Sequence, residues 1–395
     1  MKKNAQKKGA RDGPLRLLGG LSAHAFMRDY WQKKPLLVRN AIADFHAPLT
    51  KREVLELAAR DEAESRLIVH RAAGRNQDEW ELHHGPISKR MLSTVAGERW
   101  TVLVQDTQHF SHEAHDLLGR FGFIPHARID DLMVSFAVPG AGVGPHFDSY
   151  DVFLLQGMGR RRWRISAQED RRIRANLPVK ILARFKAAQE FVLECGDMLY
   201  LPPGIAHDGV AETECLTWSI GFRAPSQQEL TVALLDHLRD ALTFTGAYAD
   251  PGLVPTTHPG YLDAAMQKRL TAMLRGFQAA TRDPGRLRQF FGRYLTEPKS
   301  HVFFDAPELP LTARAFARAA GQRGVRLDLR SRLLYDDQGF FLNGEELVVE
   351  PAREPALRRL ADDRKLPAAA MDKASACAAL YDAYLDGYLE LGPEP

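Results

Sequence analysis

Between residues 130 and 223 the chain is a succession of short apolar runs cut by glycine and proline: LMVSFAV, DVFLLQG, RRRWRIS, FVLECGDMLYLPPG and CLTWSIGF. Evenly spaced short strands with turn residues between them have few ways to protect their edges. An all-β barrel or double-sheet jelly roll is the architecture this spacing predicts. PGAGVGP (139–145) is then a loop between two strands. A phosphate cradle would require a Lys-Ser/Thr and an opening helix directly behind it, and neither follows.

The flanks read differently, so the fold class expected is α+β. Ser22 is placed to cap a helix through AHAFMRDYWQKK, which Pro35 stops, and Thr50 with Glu53 forms a capping box ahead of VLELAAR. Leu67 to Val69 and Trp100 to Val104 read as strands. After Pro225 the pattern becomes helical. Leu230, Ala233, Leu234, Leu238 and Leu242 recur with a period near that of an α-helix. A Pro/Gly-rich break at 249–260 precedes two further helical stretches, near 261–280 and 284–295. A block this small leaves helix faces to be covered, by a homodimer contact or by the barrel of the same chain. From residue 301, LTARAFARAA reads as a helix, VRLDLRSRLLYD and FFLNGEELVV as strands around an Asn343-Gly344 hairpin turn, and PALRRLADD and SACAALYDAYLDGYL as closing helices. That is a winged-helix-like shape. The expected division is 1–225 with a basic tail at 1–20, then 226–300, then 301–395.

Charge and cysteine usage exclude several classes of function. No apolar run reaches the roughly 18 residues of a transmembrane helix, and no apolar segment follows the basic start as in a secretory signal. Cys195, Cys215 and Cys377 are too few and scattered for a disulfide framework, so they read as reduced thiols of a cytoplasmic protein. Residues 1–20 carry six Lys or Arg (Lys2, Lys3, Lys7, Lys8, Arg11, Arg16) against Asp12 alone. Such a tail either docks on RNA or is a solvated terminus. Residues 301–395 have a net balance of −4, which argues against sequence-specific DNA binding by the winged helix.

The chemistry is concentrated in GPHFDSYDVFLLQGMGRRRWRI and GDMLYLPPGIAHDG. His146 and Asp148, two residues apart at the opening of a strand, can aim an imidazole and a carboxylate at one point. His207, 61 residues after His146 and beside a Pro-Pro-Gly turn, can supply a third ligand from another strand. Two histidines and one carboxylate form the facial triad that leaves three metal positions open, as in non-haem Fe(II) oxygenases; a closed zinc site would use four ligands. Arg161 lies thirteen residues beyond Asp148 on the next strand, where a buried guanidinium can clamp a dicarboxylate. Alternation sets Arg160, Arg162 and Arg164 on one face and Arg161 with Trp163 on the other, and the second pair suits the inner face.

These residues resemble those of the bacterial ribosomal oxygenases of the JmjC type, cupin-like proteins that hydroxylate an arginine of a large-subunit ribosomal protein. The resemblance is densest over Leu132 to Ile165 and Gly196 to Asp208, and the order of barrel, helical block and winged helix is similar too. It implies Fe(II) held by His146, Asp148 and His207, with 2-oxoglutarate and O₂ as co-substrates. It also implies that Arg161 binds the distal carboxylate of 2-oxoglutarate and that Ser135 makes a polar contact to the co-substrate or the substrate. Oxidative decarboxylation to succinate and CO₂ would be coupled to side-chain hydroxylation in a dry pocket, for which Phe136, Phe153, Leu155, Trp163 and Trp218 are the expected lining. The alternatives are an oxygenase acting on a histidine of a ribosomal protein or on tRNA, and a non-catalytic metal-binding cupin with a regulatory winged helix.

Other residues invite roles of their own. His109, His112 and His115 read as water-facing side chains where a loop enters a helix. His83 and His84 point to opposite sides of a strand. Asp197, beside Gly196, suits a structural turn. Tyr150 and Asp151 either meet a cationic substrate at the pocket mouth or pack as a strand tyrosine and an ion-paired aspartate.

Overall fold

The computed structural model describes residues 13–73, 77–371 and 378–393. The five basic residues expected at 1–11, and Cys377, lie outside them. The chain divides into two compact units, Met1–Ala224 and Pro225–Pro395.

The first unit is a double-stranded β-helix. Its major sheet is antiparallel and eight-stranded, in the order β1 (Leu36–Val38), β10 (Met198–Leu201), β7 (Asp151–Met158), β12 (Cys215–Phe222), β5 (Ile129–Ala137), β4 (Arg99–Val104), β2 (Ser65–Ala73), β3 (Gln77–His84). The minor sheet holds β6 (His146–Phe147), β11 (Ala206–Ala211), β8 (Arg161–Ser166) and β9 (Gln189–Leu193) in that order. Four helices pack on the outside: α1 (Ala23–Asp29), α2 (Lys51–Ala58), α3 (Lys89–Thr94) and α4 (His112–Gly119). Local chemistry sets their starts. Ser22 caps α1 by accepting from the Ala25 amide, and Thr50 and Glu53 form the expected reciprocal capping box on α2.

Every residue of β12 and all but the last of β7 are buried, because both faces of the major sheet are covered. The outer face sends Phe136, Phe153, Leu155, Trp218 and Tyr200 into one core with Phe26, Val54, Leu117 and Phe121 from the helical side. The inner face sends Val152, Leu154, Leu199 and Leu201 against Trp163, Ile165 and Leu193 of the minor sheet. The expected pocket lining is therefore corrected: of its five members only Trp163 faces the barrel interior. Phe136, Phe153, Leu155 and Trp218 belong to the alternate positions and anchor the helices instead. The inner face beside them carries Ser135, Gln156 and Thr217, with Thr217 donating to Gln156 Oε1 at 3.1 Å.

The second unit begins with α5 (Gln227–Ala241), α6 (Ala264–Met273), α7 (Arg275–Ala280) and α8 (Pro284–Thr296). It continues with α9 (Ala313–Arg323), β13 (Val325–Leu327), the antiparallel trio β14 (Leu333–Tyr335), β15 (Phe340–Leu342) and β16 (Glu345–Leu347), then α10 (Glu354–Asp363), β17 (Lys365–Leu366), α11 (Ala378–Leu385) and β18 (Leu389–Leu391). Phe316, Leu327, Leu342, Leu357, Leu360 and Leu380 share its core. Asn343 and Gly344 both take positive φ (49° and 90°), the two-residue turn that matches strand twist. The last helix stops earlier than its sequence suggests. Gly387 turns at φ 74°, and Leu389–Leu391 then pairs with β13 as a strand.

Candidate active site

The His-x-Asp pair sits at the end of a very short strand rather than opening a long one. β6 comprises only His146 and Phe147; Asp148 lies just beyond it, and DVFLLQG starts a separate strand in the other sheet. Asp148 is tethered by its backbone, whose carbonyl accepts from the Gly204 amide at 2.8 Å. In the β6–β11 ladder His146 is directly opposite His207. The ring centroids are 4.3 Å apart, and His207 Nε2 lies 3.6 Å from Asp148 Oδ2. Ligand atoms from all three side chains fall within 4.8 Å of one another.

Both imidazoles are oriented in the same way. Nδ1 of His146 lies 2.8 Å from the Gly144 carbonyl, and Nδ1 of His207 lies 2.9 Å from the Ile205 carbonyl. A carbonyl only accepts, so Nδ1 carries the proton in each ring and Nε2 presents its lone pair. Burial, and secondarily the neighbouring His146, pushes the His207 pKa down to about 3, which keeps that imidazole neutral. Burial raises the Asp148 pKa, opposed by His146 and by a hydrogen bond with Tyr150. A carboxylate with that desolvation cost and two neutral imidazole lone pairs form a donor set that a divalent cation satisfies. Among the described residues this is the one such group of three, with no fourth His, Cys, Asp or Glu in it.

Arg161 completes the arrangement. It is 5% exposed, on the inner face of β8, and Nη1 donates to Ser135 Oγ at 3.2 Å on the opposite sheet. Its Nε and Nη2 are buried with no acceptor. Those two N–H groups form one edge of the guanidinium, the edge that takes a carboxylate in bidentate fashion. The other arginines of the run are on the outer face: Arg160 and Arg162 pair with Glu212, and Arg164 pairs with Asp208.

The remaining residues separate cleanly. Asp151 is fully buried and structural: it accepts from Tyr200 Oη at 2.6 Å and Gln32 Nε2 at 2.9 Å, and Arg128 is 3.5 Å away. Tyr150 is 38% exposed and at the site, hydrogen-bonded with Asp148. Asp197 accepts from the amides of Asn40 and Glu194 and pairs with Arg39, which makes it a turn anchor. His112 is exposed, but His109 and His115 are half-buried, so only one of the three faces water freely. His83 lies 3.3 Å from Glu81. Cys195 and Cys215 are free thiols. No helix among the described residues is long and apolar enough to cross a membrane.

Sequence reasoning missed Gly144 and Asp131. Gly144 has φ +81° and turns its carbonyl onto His146. Asp131 Oδ1 and the Tyr150 ring both approach Gly221, where a Cβ would meet them at 2.9 and 3.9 Å. The glycine-rich run 139–145 was the available signal for the first. Nothing in the alternation marked the second.

Comparison with known proteins gives consistent relatives. Residues 116–230 match the JmjC domain model, and residues 279–390 match the ROXA-like winged helix. The chain is 33% identical to the ribosomal protein uL16 3-hydroxylase of Escherichia coli, over 87% of this chain and 89% of that protein. A probable ribosomal oxygenase of Haemophilus influenzae is 36% identical over 59% of this chain and 55% of its own length. The solved structure of YcfD, a ribosomal oxygenase from E. coli, superposes with TM-score 0.79 at 32% identity, covering 94% of this chain and 98% of that one. The same protein in complex with cobalt and 2-oxoglutarate superposes with TM-score 0.78 at 32% identity, covering 93% and 97%. With a β-helix bearing a His-Asp-His cluster and a C-terminal winged helix, the chain belongs to the JmjC-type ribosomal oxygenases, a family of 2-oxoglutarate-dependent hydroxylases.

Proposed function

We propose that the chain is an Fe(II)- and 2-oxoglutarate-dependent oxygenase that hydroxylates a side chain, an arginine, of a large-subunit ribosomal protein in the cytoplasm. His146, Asp148 and His207 would hold the metal, and Arg161 with Ser135 the distal carboxylate of 2-oxoglutarate. The bound iron, with 2-oxoglutarate and O₂, supplies the oxidising power to insert one oxygen atom into a C–H bond, leaving succinate and CO₂. The chain's own contribution is positional. The Gly144 and Ile205 carbonyls hold two imidazoles in the ligating tautomer. Ser135 turns the Arg161 guanidinium so that its Nε/Nη2 edge faces a carboxylate. The observation that carries the reading is the coexistence, in one barrel, of a three-ligand cluster and a buried guanidinium with an unused carboxylate edge.

The arginine assignment draws support from the mouth of the site. Burial, and then the charges of Asp148, Asp131 and Asp130, push the Tyr150 phenol pKa up and keep it protonated. Arg66 opposes them, and a mouth with three carboxylates against one guanidinium supports a cationic side chain as substrate. The relative's name, ribosomal protein uL16 3-hydroxylase, supports a ribosomal protein as the substrate.

The helical stretch of the second unit fits a homodimer contact. α6 buries none of its residues, and Leu270, Met273 and Leu274 are 44%, 49% and 57% exposed, with Val232 and Leu235 of α5 each at 46%. Sedimentation of the full chain checks this: a monomer at micromolar concentration removes it.

Intact-mass measurement of ribosomal proteins from cells with and without this chain tests the function. One large-subunit protein should gain the mass of a single oxygen, localised by fragmentation to an arginine. A gain on a histidine, or on tRNA alone, would replace the arginine reading. Iron-loaded protein that releases no succinate from 2-oxoglutarate would end the oxygenase reading itself.

A further inference from the structure

Trp163 occupies the inner face of β8 two residues after Arg161 and is 5% exposed. Its ring centroid lies 5.9 Å from that of His207 and 5.6 Å from the Arg161 guanidinium carbon. The indole is therefore a neighbour of both the metal-ligand cluster and the carboxylate clamp. Its orientation is locked from one side. Gly209 is its direct partner in the β8–β11 ladder, and a Cβ there would come within 2.6 Å of Cζ3 and 2.7 Å of Cη2. The benzene edge is thus seated on the glycine, which places the pyrrole edge and Nε1 on the other side of the ring. Nε1 is buried and has no acceptor.

A buried donor without an acceptor is a cost that native structures rarely retain. Nε1 of Trp80 and of the core Trp218 is also buried without one, and what sets Trp163 apart is its place beside Arg161 and His207. Here three such donors, Nε and Nη2 of Arg161 and Nε1 of Trp163, line the same face of one strand. We propose that Trp163 is a co-substrate-binding residue, its Nε1–H donating to a carboxylate oxygen of the 2-oxo dicarboxylate and its ring forming the wall of the slot between Arg161 and the metal ligands. This rests on the oxygenase reading and adds to it a donor that the ligand set and the arginine clamp do not include.

The test uses the full chain loaded with Zn(II), which is redox-inert, and 2-oxoglutarate as the probe. The protein has five tryptophans, so selective indole ¹⁵N labelling gives five N–H resonances. W163F identifies the Trp163 resonance, or single Trp→Phe changes at the other four positions do so if W163F does not fold. On adding 2-oxoglutarate the Trp163 indole proton should move downfield and become protected from solvent exchange. Calorimetric titration of W163F should show 2-oxoglutarate binding weakened about tenfold, the value of one hydrogen bond to a charged group, with Zn(II) affinity unchanged. A Trp163 resonance that 2-oxoglutarate leaves in place, or W163F binding 2-oxoglutarate as tightly as the unaltered chain, overturns the proposal while the oxygenase reading stands. Failure of the unaltered, metal-loaded chain to bind 2-oxoglutarate overturns both.

Discussion

The guanidinium of Arg161 is pinned by a 3.2 Å hydrogen bond from Nη1 to Ser135 Oγ on the opposite sheet, and that bond decides which of its edges stays open. Arginine offers five N–H donors in a rigid fork, and fixing one end-nitrogen leaves the Nε/Nη2 edge as the remaining bidentate face. Arg161→Ala should therefore weaken 2-oxoglutarate binding by about a hundredfold, the loss of a paired charge-assisted contact. Co(II) affinity measured without 2-oxoglutarate should not change. Arg161→Lys keeps the charge without the fork and should fall between. Ser135→Ala should cost only a few-fold, since it frees the guanidinium without removing it. Equal loss of metal and 2-oxoglutarate affinity in Arg161→Ala would place this side chain among the metal's supports instead.

The three ligand side chains come from two segments joined by the β6–β11 pairing, and their coupling gives a second test. Bound metal should raise the melting temperature of the unaltered chain, because it binds the folded state alone. In His207→Ala or Asp148→Ala that metal-dependent rise should vanish, along with the visible absorption of bound Co(II). A full metal-induced shift in both variants would show that the ion binds elsewhere.

How much of this was legible in the residues depends on contrast along each strand. In RRRWRIS the charged and bulky positions alternate, so the inward set of Arg161 and Trp163 could be read directly. In DVFLLQG and CLTWSIGF both faces are buried, the alternation is nearly uniform in polarity, and no pattern separates Phe153 and Leu155 from Val152 and Leu154. That is why Phe136, Phe153, Leu155 and Trp218 were expected in the pocket and are found under the helices. The His146, Asp148 and His207 cluster was legible because its chemistry is rare in a β-rich run, even though the strand carrying His146 is too short to register as one. Asp131 was not legible: its role depends on two segments ninety residues apart meeting at Gly221.

Gly144 links the glycine-rich loop to the metal site, and its backbone geometry makes a further prediction. At φ +81° an L side chain is strained, and a Cβ would lie 2.9 Å from Ile181 Cδ1 and 3.2 Å from the Trp80 ring. Its carbonyl is also the acceptor that orients His146. Gly144→Ala should cost about 1–3 kcal/mol of stability from the strained conformation. It should also weaken metal binding beyond what the destabilisation explains, because His146 loses its orienting acceptor. Gly140→Ala, in the same loop at φ +79° with the Arg99 side chain nearest, should destabilise the fold similarly and leave metal affinity intact. If both variants bind metal equally well, the Gly144 carbonyl has no orienting role.

Asp151, three residues past the proposed metal ligand Asp148, has the sequence position of a catalytic group and the surroundings of a structural one. It has no exposed surface, accepts from Tyr200 Oη and Gln32 Nε2, and faces Arg128 at 3.5 Å. Tyr200 in turn accepts from the Gln32 amide at 2.8 Å, so the network ties the segment after α1 to β7 and β10. Removing the carboxylate strands three donors, and breaking a buried pair of this kind costs about 3–5 kcal/mol. Tyr200→Phe leaves Asp151 one donor short and should cost about 1–3 kcal/mol. Urea denaturation should show both losses as a lowered midpoint with an unchanged slope. Turnover per folded molecule should keep the KM of the unaltered chain for 2-oxoglutarate and for the ribosomal substrate. A folded Asp151→Asn variant with a raised substrate KM would move this residue from the scaffold to the pocket mouth.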